Sequence, residues 1–255
     1  MASRRWARPL TAFFALALIY QASEGLQTVI APGHWFGPAL MLVAFIVAWP
    51  LGHWLGGRGY AAYGLDGLRR IAPVALALMA AAFIAKAASL WMTGGVGEFD
   101  PRLALTGIML ALVTTFVPSV TEDILTRGFL FRVFPVKLGP ALFIVSSALI
   151  YTVNHLWRFD WGITEQIRLF CLGLAYAAAC WRWQNLWAAV ALHWGWNLAI
   201  VFYDQLFQLP DVGQDLSRLA TAGVHLLIFA LILFVPQRQP AEPWSLRPKS
   251  GAASS

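Results

Sequence analysis

The feature that most constrains this chain is a succession of apolar runs about as long as a membrane is thick. Residues 10–30, 38–55, 71–91 and 103–120 form four such runs, and 138–155, 167–180, 186–203 and 220–235 form four more. Several approach or exceed the ~20 residues that carry a helix across hydrocarbon, whereas a membrane barrel needs strands of ~10 alternating residues. Only 12% of the chain is charged and 59% is apolar, against about 25% charged in an ordinary soluble domain. The expected fold is all-α, a polytopic transmembrane helical bundle of about eight spans. Residues 1–236 form one transmembrane domain, and the Pro-rich polar stretch 237–255 is expected to be a disordered cytoplasmic tail.

Charge orients the bundle. Basic residues fall at the N-terminus, at 58–70, at 127–137, at Arg182 and in the tail, while Glu24, Glu98, Asp100, Asp160, Glu165, Asp204, Asp211 and Asp215 fall on the opposite side. The positive-inside rule then places both termini in the cytoplasm. It also accounts for the net charge of +6, whose basic residues are scattered over short loops and tails rather than gathered for nucleic acid. The chain reads as an integral multi-pass membrane protein with lipid as its surroundings, in the plasma (inner) membrane if its source is bacterial. Its first twenty residues mimic a signal peptide, but no small-x-small cleavage site follows and apolar character resumes at Leu26, so they are read as an uncleaved first span. Cys171 and Cys180 lie nine apart on one helix, on roughly opposite faces, and serve packing.

Within this apolar frame the stretch 119–134, SVTEDILTRGFLFRVF, stands out. Ionisable groups beside hydrocarbon are costly unless paired or facing a wet cavity, which makes them functional candidates. Asp123 and Arg127 are four apart and meet on one helix face as an ion pair. Glu122 points about 100° away from Asp123 and is the less committed acid. Two further polar pairs have the same spacing: Tyr151 with His155, beside Asn154, and His193 with Asn197. A carboxylate with a histidine can deprotonate water, and a histidine with a carboxamide can stabilise an oxyanion. Equally, Glu122, His155 and His193 supply two imidazoles and a carboxylate for zinc. Each residue also has a plainer reading: His155 as an interfacial histidine, and His193 with Asn197 as interhelical glue. His34, His53 and His225 have no acid at helical spacing and count as background.

The order Glu122-Asp123-x-x-x-Arg127-Gly128, then Tyr151-x-x-x-His155, then His193-x-x-x-Asn197 resembles the three motifs of the CPBP family, the CAAX-protease and bacteriocin-processing (Abi) intramembrane proteases. The resemblance covers roughly residues 103–203, the family's catalytic core. It implies an intramembrane endopeptidase acting on a peptide or protein substrate at the membrane, with Glu122 and His155 activating water and His193 and Asn197 forming the oxyanion hole. Asp123, Arg127 and Tyr151 would support them, and no cofactor is expected, with zinc on Glu122, His155 and His193 as the alternative. Asp123 stands where the family usually has Glu, and Tyr151 where it usually has Phe. Two other functions compete: a catalytically silent scaffold or immunity-type accessory protein of the same fold, and a solute transporter. The transporter lacks support from any internal repeat or paired broken helices.

One geometric demand follows from the topology. Glu122 is expected near the cytoplasmic end of the fourth span, where the peptide would be cut, yet His155 falls at the far end of the fifth. A helix continuous over 103–134 would be ~48 Å long against a ~30 Å hydrocarbon core, and its tilt or a bend at Pro118 is expected to carry Glu122 to the depth of the histidines.

Overall fold

The computed structural model describes residues 2–33, 35–100 and 105–236; the expected tail at 237–255 lies outside the described residues. Eight α-helices follow one another: α1 (Ala2–Gly25), α2 (Phe36–Trp54), α3 (Leu68–Met92), α4 (Leu105–Asp123), α5 (Pro140–Asn154), α6 (Ile163–Trp183), α7 (Leu186–Leu206) and α8 (Gln214–Phe234). No strand occurs among the described residues, though an isolated β-bridge pairs Phe99 with Phe207. The chain is thus an all-helical, multi-pass integral membrane protein, as its apolar runs require.

Six segments are long and apolar enough to cross a membrane: Arg5–Ile30, Phe36–Trp54, Leu68–Met92, Gly107–Val133, Leu186–Leu206 and Gln214–Phe234. The other two helices depart from a plain span for visible reasons. α5 is apolar but only 15 residues long. α6 has the length, yet it carries Glu165, Arg168 and Arg182 and is bound at both ends to α8. Near its start, Glu165 pairs with Arg168 and lies 3.3 Å from Arg218 Nε. Near its end, Arg182 donates to the Ile232 carbonyl at 2.9 Å. Charge in an apolar setting is tolerated when it is paired in this way.

α6 and α7 form the centre. α6 packs against α5, α7 and α8, while α7 packs against α3, α4 and α6. Small side chains permit the close approach, as between helices in membranes generally. The run Ala175–Cys180 of α6 is wholly buried, and glycines mark two helix crossings. A Cβ on Gly173 would lie 2.7 Å from the Ala148 Cα of α5, and one on Gly195 would lie 2.9 Å from the Met79 Cα of α3. Gly173→Ala should therefore force α5 and α6 apart and destabilise the protein by about 1–3 kcal/mol, the usual cost of overpacking. Gly223→Ala is the matched control, because its added methyl meets nothing within 4 Å. It should be neutral or slightly stabilising in a helix. Unfolding of both variants in detergent, compared with the parent, measures the difference.

The feature that positions the site is the continuation of α4. The helix runs through Pro118 and changes winding only after Asp123, becoming a π-helical segment over Ile124–Val133. The helical path is thus continuous through Pro118 as far as Val133. Glu122 lies near the middle of the span Gly107–Val133 rather than at its end. α5 returns for only about 22 Å and stops at Asn154, so His155 meets Glu122 at mid-depth. A long fourth span and a truncated fifth resolve the mismatch that full-length helices would have imposed.

Candidate active site

Glu122 is buried at the end of α4. Its Oε1 lies 3.3 Å from His155 Nε2, and its Oε2 lies 3.5 Å from His193 Nε2. Three separate helices thus deliver an acid and two imidazoles to one point. The positions follow from local structure: His155 caps the short α5, and His193 lies in mid-α7, the most buried of the six candidate spans.

The state of His155 can be read from its partners. Its Nδ1 lies 2.8 Å from the Tyr151 carbonyl, which can only accept, so the proton sits on Nδ1. The lone pair of Nε2 then faces Glu122. Two acceptors 3.3 Å apart can share one proton directly, and a carboxylate and an imidazole so placed can accept a proton from a water beside them. His193 bridges the two acids instead, with Nε2 toward Glu122 and Nδ1 3.4 Å from Asp123 Oδ1.

Asp123 and Arg127 are fully buried and paired with each other, as their spacing predicts. The guanidinium also donates to Thr126 Oγ1 at 2.9 Å, while its Nε and Nη2 have no hydrogen-bond partner. Aromatic faces surround it in their place: Cζ lies 4.9 Å from the Tyr151 ring and 5.2 Å from the Tyr176 ring. A desolvated cation over aromatic faces gains about 2 kcal/mol or more, which offsets part of its lost hydration. Tyr151 also packs against His155, with ring centroids 4.7 Å apart. The tyrosine found where phenylalanine was expected therefore joins the cation to the imidazole.

Asn197 bonds to α4 three residues before the acid. Its Nδ2 donates to Ser119 Oγ at 3.0 Å, and Ser119 donates in turn to the Thr115 carbonyl at 2.7 Å. The carboxamide is thus held one helical turn from the Glu122–His193 contact.

Three partners were not anticipated in these roles. Asn154 donates to Glu122 Oε1 at 3.1 Å. Tyr176 stacks on His193 with centroids 4.7 Å apart and an interplanar angle of 20°. His225, set aside as background, is fully buried against Trp196 and Tyr176, with its Nε2 3.4 Å from the Tyr176 hydroxyl. Asn154 had a sequence signal in its place beside His155; Tyr176 and His225 had none, since both contacts depend on how α6, α7 and α8 pack.

Among the described residues no group of three or more His, Cys, Asp or Glu side chains is arranged to hold a metal ion. The two imidazoles also approach different oxygens of Glu122.

Fold and site together define a class: multi-pass helical membrane proteins in which a buried carboxylate meets imidazoles from two other helices. Residues 104–199 match the family described as type II CAAX prenyl endopeptidase Rce1-like. That family is the CPBP family, and the chain is similar to it over this segment. The matched region contains Glu122, Asp123, Arg127, Tyr151, His155, His193 and Asn197. The family points to a membrane-embedded peptidase. No curated protein and no solved structure matches the chain.

Proposed function

We propose that the protein is an intramembrane endopeptidase that hydrolyses a peptide bond with a water activated by Glu122 and His155. The observation that carries this reading is the 3.3 Å approach of the His155 lone pair to Glu122 inside a buried site. A water seated beside the pair, hydrogen-bonded to Glu122, loses a proton to it as its oxygen attacks the scissile carbonyl carbon. The carbonyl oxygen becomes an oxyanion, for which His193 and Asn197 are the donors; Asn197 reaches it by exchanging its bond to Ser119. The pair then returns the proton to the amide nitrogen, the C–N bond breaks, and a carboxylic acid and an amine leave. Burial strengthens each of these polar contacts, because little water competes with them.

The substrate class is a peptide segment in or at the bilayer. The protein reconstituted in liposomes should cleave a quenched fluorogenic reporter, offered both with and without a prenylated CAAX terminus. Cleavage of neither form by protein of intact fold would contradict the peptidase reading and favour the scaffold. The metal-free chemistry has its own check. Turnover should survive a strong chelator, and the purified protein should hold no stoichiometric zinc; inactivation by the chelator and recovery with Zn²⁺ would overturn that part.

A further inference from the structure

The first helix lies outside the segment that matches the family, yet it reaches the site. Gln21 of α1 donates through Nε2 to the Asn154 carbonyl at 2.7 Å and to Asn154 Oδ1 at 3.0 Å. Asn154 Nδ2 donates in turn to Glu122 Oε1 at 3.1 Å. Trp157 Nε1 closes the junction on the Gln21 carbonyl at 3.1 Å. Gly25 provides the room: a Cβ there would lie 2.7 Å from the Trp157 ring. Arg158 and Glu24 face each other at 3.4 Å one turn along α1. Gln21 and Glu24, two polar residues within the first apolar run, are therefore turned toward the end of α5 and the loop that follows it.

We infer that Gln21 and Asn154 are positioning residues for Glu122, so that α1 completes the active site of the reaction proposed above. The chemistry follows from the donor inventory. A carboxamide offers a donor end and an acceptor end, and Asn154 can stabilise Glu122 only with its NH₂ toward the carboxylate. Turned the other way, its oxygen would face the acid and repel it. Gln21 presents its NH₂ to Asn154 Oδ1, a pairing that an NH₂ end could not accept, and this fixes the orientation. Asn154 in turn occupies Oε1, the oxygen that His155 approaches, and limits the directions in which Glu122 can hold a water. Orienting groups of this kind typically change activity by about 10–100-fold when removed.

The test uses Gln21→Met and Asn154→Leu, which keep volume and remove the donors, with the double variant and Glu122→Gln. The substrate-free readout is the infrared carboxyl band of Glu122 in liposomes, identified as the band lost in E122Q. Both Q21M and N154L should shift that band, and the double variant should match N154L alone. In reporter turnover, N154L should lower kcat about 10–100-fold and Q21M about tenfold, with KM little changed and no further loss in the double variant. A band unmoved by Q21M or by N154L, or losses that multiply in the double variant, would overturn the inference. If the band moves as expected but E122Q still turns over reporter, the peptidase assignment of Glu122 fails and the positioning contact stands.

Discussion

Glu122→Gln is expected to reduce turnover of the membrane reporter by about 10²–10⁴-fold, the contribution of a positioned general base. The substitution preserves shape and leaves a carbonyl oxygen for the Asn154 donor, so the local packing that buries Glu122 is kept. What disappears is the second acceptor oxygen and the capacity to take a proton. The protein should therefore elute as the parent does in detergent and unfold at a similar temperature. A scaffold of the same fold would lose nothing by this change. Full turnover in E122Q would remove the acid from the chemistry, whereas a lost fold would make Glu122 a structural residue.

Arg127→Met is expected to cost about 3–5 kcal/mol, because it strands the fully buried Asp123 charge. Asp123 Oδ2 already lacks a hydrogen-bond partner, so little in its surroundings can replace the guanidinium. The aromatic faces of Tyr151 and Tyr176 would lose their cation as well. Asp123→Leu combined with Arg127→Met removes both charges and should recover most of the stability, as replacement of a buried pair by apolar groups often does. Activity should not recover with it. His193 loses the acid 3.4 Å from its Nδ1 and with it the contact that orients the ring. Unfolding in graded denaturing detergent, run beside reporter turnover, separates the two effects. A double variant as active as the parent would show that Asp123 serves the fold alone.

Much of this molecule was legible in its sequence because hydrocarbon penalises polarity so strongly. Runs of apolar residues could become nothing but membrane helices, and the eight observed helices overlap the eight expected runs. The same penalty exposed Glu122, Asp123 and Arg127, and the four-residue spacing found the Asp123–Arg127 pair directly. His155 and His193 could be nominated by their spacing to Tyr151 and Asn197, although the convergence on Glu122 needed the fold.

What stayed hidden depends on winding and on long-range packing. Nothing in ILTRGFLFRV distinguishes a π-helical segment from an α-helix, yet this stretch carries Glu122 to mid-span. Pro118 drew attention as the visible breaker, but the helix continues through it. Gln21 is a polar residue in an apolar run whose partner, Asn154, lies 133 residues away in sequence. His225 had no acid at helical spacing, and its contacts with Trp196 and Tyr176 join α8 to α7 and α6. Pattern reading sees neighbours on one helix and is blind to neighbours across helices.

The central claim is that Glu122 and His155 act together on one water, and a double-variant cycle of E122Q and H155Q measures it most directly. Residues that act as a unit lose their function together, so their effects do not multiply. The account predicts that E122Q, H155Q and the double variant fall to one common floor of reporter turnover while all three remain folded. Losses that multiply in the double variant, or an H155Q protein that cleaves at the parent rate, would contradict it.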